Sequence, residues 1–162
     1  MNVKIVDATW YETQFSAVVM DENGNDKKEK TKLAIDAMSF TEAENKAIDY
    51  ITGYNLTDGI ITSIAIAPYK EVFIDTDSIE TNYSYTVVVQ TIMLADNGKE
   101  KKTKVKHLVQ ASSIEAARKV VISVYDKGMT DYTIKSISET NVEEIIERDN
   151  KPKTETENEE ED

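Results

Sequence analysis

The feature that most constrains the fold is an internal repeat. A shift of 74 positions aligns Tyr11 with Tyr85, Asn23-Gly24 with Asn97-Gly98, and Ala37 with Ala111. One residue is then lost, and a shift of 73 aligns Glu42-Ala43 with Glu115-Ala116 and Thr57-Asp58 with Thr130-Asp131. A duplication of this size predicts two copies of one supersecondary unit, related by a pseudo-two-fold axis. Any working surface is therefore expected twice.

Each copy is predicted to be a β-β-α-β unit. Alternating strands at 10–19 and 84–93 lead through Asn-Gly turns, where two positive φ angles are easily adopted, into return strands. A helix follows, with capping boxes that begin at Ser39 and Ser112. A last strand is expected at 60–67 and at 132–138, with a short extra strand at 71–74. Residues 3–6 are expected to extend the first strand or to add a short one. The fold class is therefore α+β, with one helix per repeat on one face of an antiparallel sheet and the other face free.

The composition indicates a folded core followed by an acidic tail. The 162 residues are 40% hydrophobic and 31% charged, as in soluble globular proteins. The repeats are expected at 1–74 and 83–148, packed together or sharing one sheet, because roughly 70 residues form a thin core alone. Residues 149–162 contribute −5 of the net charge of −12, which leaves −7 on the rest. This segment has no apolar residue to bury and is expected to be disordered.

The residue types present argue against catalysis and metal binding. There is no cysteine and only one histidine, so thiolate and histidine-rich metal sites are excluded and no cofactor is expected. His107 falls in the inward row of its strand and is interpreted as a core residue. The segment 21–26 resembles a calcium loop, but its glycine comes too early and Lys32 stands where a glutamate ligand is needed. No signal peptide or membrane span is seen, so a cytoplasmic location is expected. No catalytic motif is recognised either, so the protein is predicted to be non-enzymatic.

Matched lysines are the most suggestive chemistry in the sequence. Period-two alternation places three on one strand face in each copy, and these are Lys28, Lys30 and Lys32, with Lys102, Lys104 and Lys106. Such rows create a local positive field on an acidic protein and can hold a nucleic-acid backbone. Trp10 is predicted to be an exposed platform on which bases stack, with Tyr83 as a second. The alternative is that the lysines only protect hairpins from edge-to-edge association.

These features favour a sequence-tolerant protein that binds single-stranded DNA in replication or recombination. Phosphate neutralisation by the lysines would supply the affinity, and the acidic tail would tune binding and recruit replication proteins. The alternative is a protein-interaction module, such as a virion component or an inhibitor of a host protein. A structural subunit that forms a homo-oligomer through its free sheet face is a third possibility.

Three segments carry a resemblance to a known family. They are Trp10-Tyr11-Glu12, the stretch 37–44 and the stretch 108–112. Through them the chain, over about residues 8–147, resembles a small family of unknown function from gut Bacteroides-type bacteria and their phages. The resemblance implies a phage or mobile-element setting, with the host cytoplasm as the location, and it supplies no site residues.

Overall fold

The computed structural model describes residues 2–77 and 83–148, which form nine strands and two α-helices. In chain order these are β1 Val3–Asp7, β2 Trp10–Met20, β3 Asp26–Asp36, α1 Phe40–Gly53, β4 Thr57–Ile66, β5 Glu71–Asp75, β6 Tyr83–Leu94, β7 Glu100–Ala111, α2 Ile114–Tyr125, β8 Asp131–Glu139 and β9 Val142–Ile146. The mixed α+β class is therefore confirmed. The short strand β9 was missed in the sequence, and the predicted disordered tail, 149–162, lies outside the described residues.

The strands form two sheets. The first takes one strand, β9, from the other half of the chain, and the second takes two, β1 and β5. The first sheet has the order β4-β2-β3-β9, and the second has the order β1-β5-β7-β6-β8. β9 pairs with β3 in parallel, and β5 pairs with β7 in parallel, whereas the remaining pairs are antiparallel. The prediction of antiparallel sheets is therefore wrong at these two pairs. Parallel pairing requires a long connection, and β5 and β9 both reach their partner after crossing from the opposite sheet.

The two long hairpins turn at the predicted Asn-Gly positions, but with a different turn. Gly24 and Gly98 have φ values of 81° and 79°, while neither Asn23 nor Asn97 has a positive φ. The Gly24 N–H donates to the Asp21 carbonyl (3.0 Å), and the Asp21 N–H donates to the Asn25 carbonyl (2.8 Å). This is a three-residue loop that closes on a left-handed glycine, so only one positive φ is needed per turn.

The helices begin at serine caps, and the second cap corrects the predicted alignment. Ser39 accepts from the Glu42 N–H, and Ser113, not Ser112, accepts from the Ala116 N–H, both at 3.1 Å. The two caps are thus 74 residues apart, at 39 and 113, so the shift of 74 continues into the helices. The lost residue falls later, in the last strand of the copy: β4 has 10 residues and two register shifts against β2, whereas β8 has 9 residues and one register shift against β6. The predicted capping box at Ser112 is therefore wrong, because the third helical residue after Ser113 is an alanine.

Three groups of buried side chains hold the molecule together. α1 packs on the first sheet around Phe15 and Leu33, and α2 packs on the second sheet around Val87 and Val109. A third group joins the back faces of the two sheets, which are the faces turned away from the helices. This inter-sheet cluster consists of Trp10, Ala34, Ala67, Tyr69, Val72, Leu108 and Val142. The predicted free face is therefore covered where the sheets meet and exposed towards the hairpins.

Candidate nucleic-acid interface

Both predicted lysine rows lie on the back faces of the sheets. In the first sheet, Lys28, Lys30 and Lys32 pair across β2 with Val18, Ser16 and Gln14. In the second, Lys102, Lys104 and Lys106 pair across β6 with Ile92, Gln90 and Val88. The alternation inferred from the sequence is thus the alternation of the sheets, because residues two apart on a strand share a face. Lys32 is half-buried and the other five lysines are exposed.

Each row leads away from the inter-sheet cluster. The next position on the same face after Lys32 is Ala34, and the next after Lys106 is Leu108. Ala34 and Leu108 both belong to the inter-sheet cluster. The two rows therefore start at the one place where the sheets touch and continue towards their hairpins.

The two rows differ in how much of their charge is free. Lys32 Nζ lies 3.6 Å from the Glu12 carboxylate, so its charge is partly neutralised. Over 2–77 and 83–148, the other five lysines of the rows have no carboxylate within ion-pair distance. A phosphate that approaches these five does not have to displace an acidic side chain.

The prediction that Trp10 is a stacking platform is wrong. Its side chain is 1% exposed and lies in the inter-sheet cluster, and its Nε1–H donates to the Lys70 carbonyl at 2.9 Å. Trp10 is on the predicted back face, but at the end of β2 where the other sheet covers that face. Tyr83 is 55% exposed at the start of β6, but it shares the face of Tyr85 and Val87, which is the helix face and not the face of the lysines.

Lys135 joins the second row through a bulge, and the sequence analysis did not single it out. On β8, Ser136 pairs with Val88 and Ile134 pairs with Val89, so Lys135 is the extra residue between them. A bulge turns two consecutive residues of one strand towards the same side. Strict alternation from Ile134, which packs under α2, also places Lys135 on the back face, so the sequence carried a signal for this lysine.

Lys135 lines an open cavity of about 490 Å³ on the second sheet. The cavity lies over the back face of β6, β7 and β8 and reaches the loop between β4 and β5. Its other lining residues are Pro68, Val88, Lys104, Val105, Lys106 and Ser136. Most of the lining is apolar, but three lysines and one serine border the cavity, and their ammonium and hydroxyl groups are donors suited to an oxyanion.

A family model described as a domain of unknown function (DUF4494) matches residues 9–148. The chain belongs to the DUF4494 family. The match begins one residue before β2 and ends two residues after β9, so it agrees with the predicted span of 8–147 to within one residue at each end. No curated protein and no solved structure matches the chain.

The DUF4494 region contains the single histidine, which is part of its core. His107 is 1% exposed, stacks on Phe73 with ring centroids 4.4 Å apart, and has Nε2 2.5 Å from the Tyr125 hydroxyl. Burial lowers the pKa of His107, and the nearby backbone of Glu71 offsets part of this effect. Its Nδ1 atom is buried and makes no hydrogen bond within the described residues. Burial, followed by the charge of Glu71, raises the pKa of Tyr125 to about 12. The prediction of a core histidine is confirmed.

Neither a metal site nor a membrane-spanning helix is found in the part of the chain that the structure describes. Among residues 2–77 and 83–148, no group of three or more His, Asp or Glu side chains could hold a metal ion. In the same ranges no helix is long and apolar enough to cross a membrane. Asp21, in the segment that resembles a calcium loop, accepts hydrogen bonds from the Asn23 and Asn25 N–H groups and so stabilises the turn.

Proposed function

We propose that this chain is a non-enzymatic, sequence-tolerant protein that binds single-stranded DNA in replication or recombination. The observation that carries the proposal is the pair of lysine rows on the back faces of the two sheets. Five of the six lysines are exposed and, within the described residues, free of ion pairs. An acidic protein with a net charge of −12 thus presents local surfaces of the opposite sign.

The binding energy in this proposal comes mainly from phosphate neutralisation. Lysines two apart on a strand lie about 6.5–7 Å apart, close to the phosphate spacing of an extended single strand. Each neutralised phosphate releases a counterion, so the affinity falls as the salt concentration rises. Each contact contributes about −0.7 to the slope of log affinity against log salt concentration. Neither predicted stacking ring lies beside the lysines, because Trp10 is buried in the core and Tyr83 lies on the helix face of β6.

The rest of the molecule supports this role in the proposal. A duplicated β-β-α-β unit with pseudo-two-fold symmetry accounts for the two matched rows. The acidic segment 149–162 competes with nucleic acid for the lysines and recruits replication proteins. A phage gene expressed in the host cytoplasm is the setting implied by the family resemblance.

Fluorescence anisotropy tests the proposal. A labelled single strand of about 30 nucleotides is titrated with the full chain and with a chain ending at Arg148, at low and at physiological salt. We expect salt-sensitive binding that strengthens without the tail, and weaker binding to a duplex of the same length. Trp10 emission should stay constant during the titration, because its ring is buried. No binding by either chain at low salt would refute the proposal.

Charge reversal at matched positions separates a specific surface from general charge. The test variant carries Lys28→Glu, Lys30→Glu, Lys102→Glu and Lys104→Glu. The control carries Lys27→Glu, Lys99→Glu, Lys101→Glu and Lys119→Glu, which changes the charge equally away from the two rows. Binding should be lost in the test variant and largely kept in the control. Equal losses would mean that the rows are not the binding surface.

A protein-interaction module is the second candidate, and exposed apolar side chains favour it. Met20 and Leu94 are 74% and 77% exposed at the two hairpin ends, and Phe40 and Ile114 are half-exposed at the first residue of each helix. Such residues suit contact with a host protein, a virion component or a second copy of the chain. This candidate would be favoured if the protein kept its function in the cell when Lys28, Lys30, Lys102 and Lys104 are replaced by glutamate.

A further inference from the structure

The lysine row of the second sheet is more strongly basic than its counterpart in the first. Lys104, Lys106 and Lys135 line one cavity. Lys106 and Lys135 lie on β7 and β8, on either side of β6, so their backbones are about 10 Å apart, or two strand spacings. Three ammonium groups on flexible stems can therefore reach one phosphate group lying over Val88.

The corresponding positions of the first sheet are weaker in two respects. The residue that matches Lys135 under the shift of 73 is Thr62, whose hydroxyl donates to the Gln14 carbonyl at 3.2 Å. The residue that matches Thr86 under the shift of 74 is Glu12, which pairs with Lys32 at 3.6 Å. The first sheet thus has one lysine fewer at this place and one more carboxylate.

The cavity on the second sheet shares Lys135 and Ser136 with a neighbouring cavity, which suits a polymer. Lys135 also lines a cavity of about 640 Å³ between α2 and β8, together with Arg118 and Ile122. The two adjoining cavities place a further cation beyond Lys135, across the edge of the sheet. A chain of linked phosphates can use cations in both cavities, whereas a single small anion can use only one group.

We propose that Lys104, Lys106 and Lys135 form the principal phosphate-binding site of this protein, and that the site takes consecutive phosphodiester groups of a single strand. This proposal rests on the proposed function and adds that binding is asymmetric. The second sheet holds the strand, and the first sheet contributes a weaker, secondary contact.

Neutralising variants test this asymmetry by anisotropy with the same labelled strand. The test variant carries Lys104→Gln, Lys106→Gln and Lys135→Gln, and the matched variant carries Lys28→Gln, Lys30→Gln and Lys32→Gln. Loss of three contacts should make the slope of log affinity against log salt concentration shallower by about 2. If these contacts contribute nothing at about 1 M salt, their loss should raise Kd roughly 50-fold at about 0.15 M salt. The matched variant should lose less than a third of that slope. Circular dichroism checks that both variants keep the wild-type fold.

The outcomes distinguish this inference from the proposed function. Absence of strand binding by the wild-type chain would refute both. Wild-type binding with equal losses in the two variants, or with a larger loss in the first-sheet variant, would refute the asymmetry alone. A titration with inorganic phosphate, followed by NMR of the lysine side chains, separates the two sources of phosphate. If inorganic phosphate and the strand cause equal NMR shift changes in the lysine side chains at the same concentration of phosphate groups, the assignment to a polymer is refuted.

Discussion

At the scale of single residues, position in the sheet decides what each polar side chain can do. His107 and Lys106 are neighbours on β7, yet one is buried under α2 and the other is exposed on the back face. Burial costs the imidazole its charged form, because an apolar surrounding does not solvate the cation. The same strand therefore carries a neutral ring on one face and free ammonium groups on the other.

The lowered pKa of His107 predicts a pH dependence of stability. Since the folded pKa lies below the ordinary value of 6.5, the unfolded chain takes up this proton first as the pH falls. The free energy of unfolding should therefore decrease below about pH 6.5, and His107→Leu should remove that part of the decrease. Urea unfolding at pH 7, 6 and 5 measures the effect.

Tyr125→Phe is the matched control, because it removes the hydroxyl partner of Nε2 but leaves the histidine buried. It should keep the decrease at acid pH that His107→Leu loses. Parallel pH profiles for the wild type and His107→Leu would show that this histidine does not titrate differently on folding.

At the scale of elements, the last short strand protects an edge. β9 covers the free edge of β3, buries Val142 in the inter-sheet cluster, and is followed by Arg148, whose guanidinium lies 3.3 Å from the Asp36 carboxylate. Without β9, the β3 edge would present unpaired N–H and C=O groups, which template association with other chains. The structure thus gives a reason for the family match to extend to residue 148.

Removal of β9 should destabilise the protein and make it associate. We compare a chain ending at Thr140 with one ending at Arg148, so that both lack the acidic segment. The shorter chain should lose roughly 3 kcal/mol or more, because Val142 and Ile145 each contribute about 1.5–3 kcal/mol when buried. Urea unfolding and light scattering measure the two effects. Equal stability and equal mass for both chains would contradict the role given to β9.

At the scale of the whole molecule, the two halves depend on each other. β5, from the first half, lies within the second sheet, and β9, from the second half, completes the first sheet. The inter-sheet cluster also draws side chains from both halves, including Ala34 and Leu108. The predicted units 1–74 and 83–148 therefore exchange strands, and neither contains all the strands of its own sheet.

This exchange predicts that the halves fold only together. A fragment ending at residue 77 and a fragment beginning at residue 78 should each lack cooperative unfolding, and an equimolar mixture should regain the circular dichroism of the intact chain. The intact chain should unfold in one transition, because the shared cluster couples the sheets. Two independent transitions, or a fragment that folds alone, would contradict this prediction.

The local features of the fold could be predicted because they depend on neighbours in the chain. Asn23-Gly24 marked a hairpin, Ser39 marked a helix start, and alternation placed Lys28 and Lys30 on one exposed face. The candidate site could be predicted only in part. Alternation from Ile134 places Lys135 on the back face, but the pattern within one strand does not show that Lys135 lies beside Lys104 and Lys106, which are on another strand.

The sequence by itself determined the order of most elements, the hairpins, the start of α1 and the two rows of lysines. Only the tertiary structure decided that β5 and β9 cross to the opposite sheet, that Trp10 is buried, and that Lys104, Lys106 and Lys135 share a cavity. The physical reason is the range of the interactions. Turns, caps and alternation arise from contacts within a few residues, whereas strand exchange and burial between sheets arise from contacts between segments far apart in the chain.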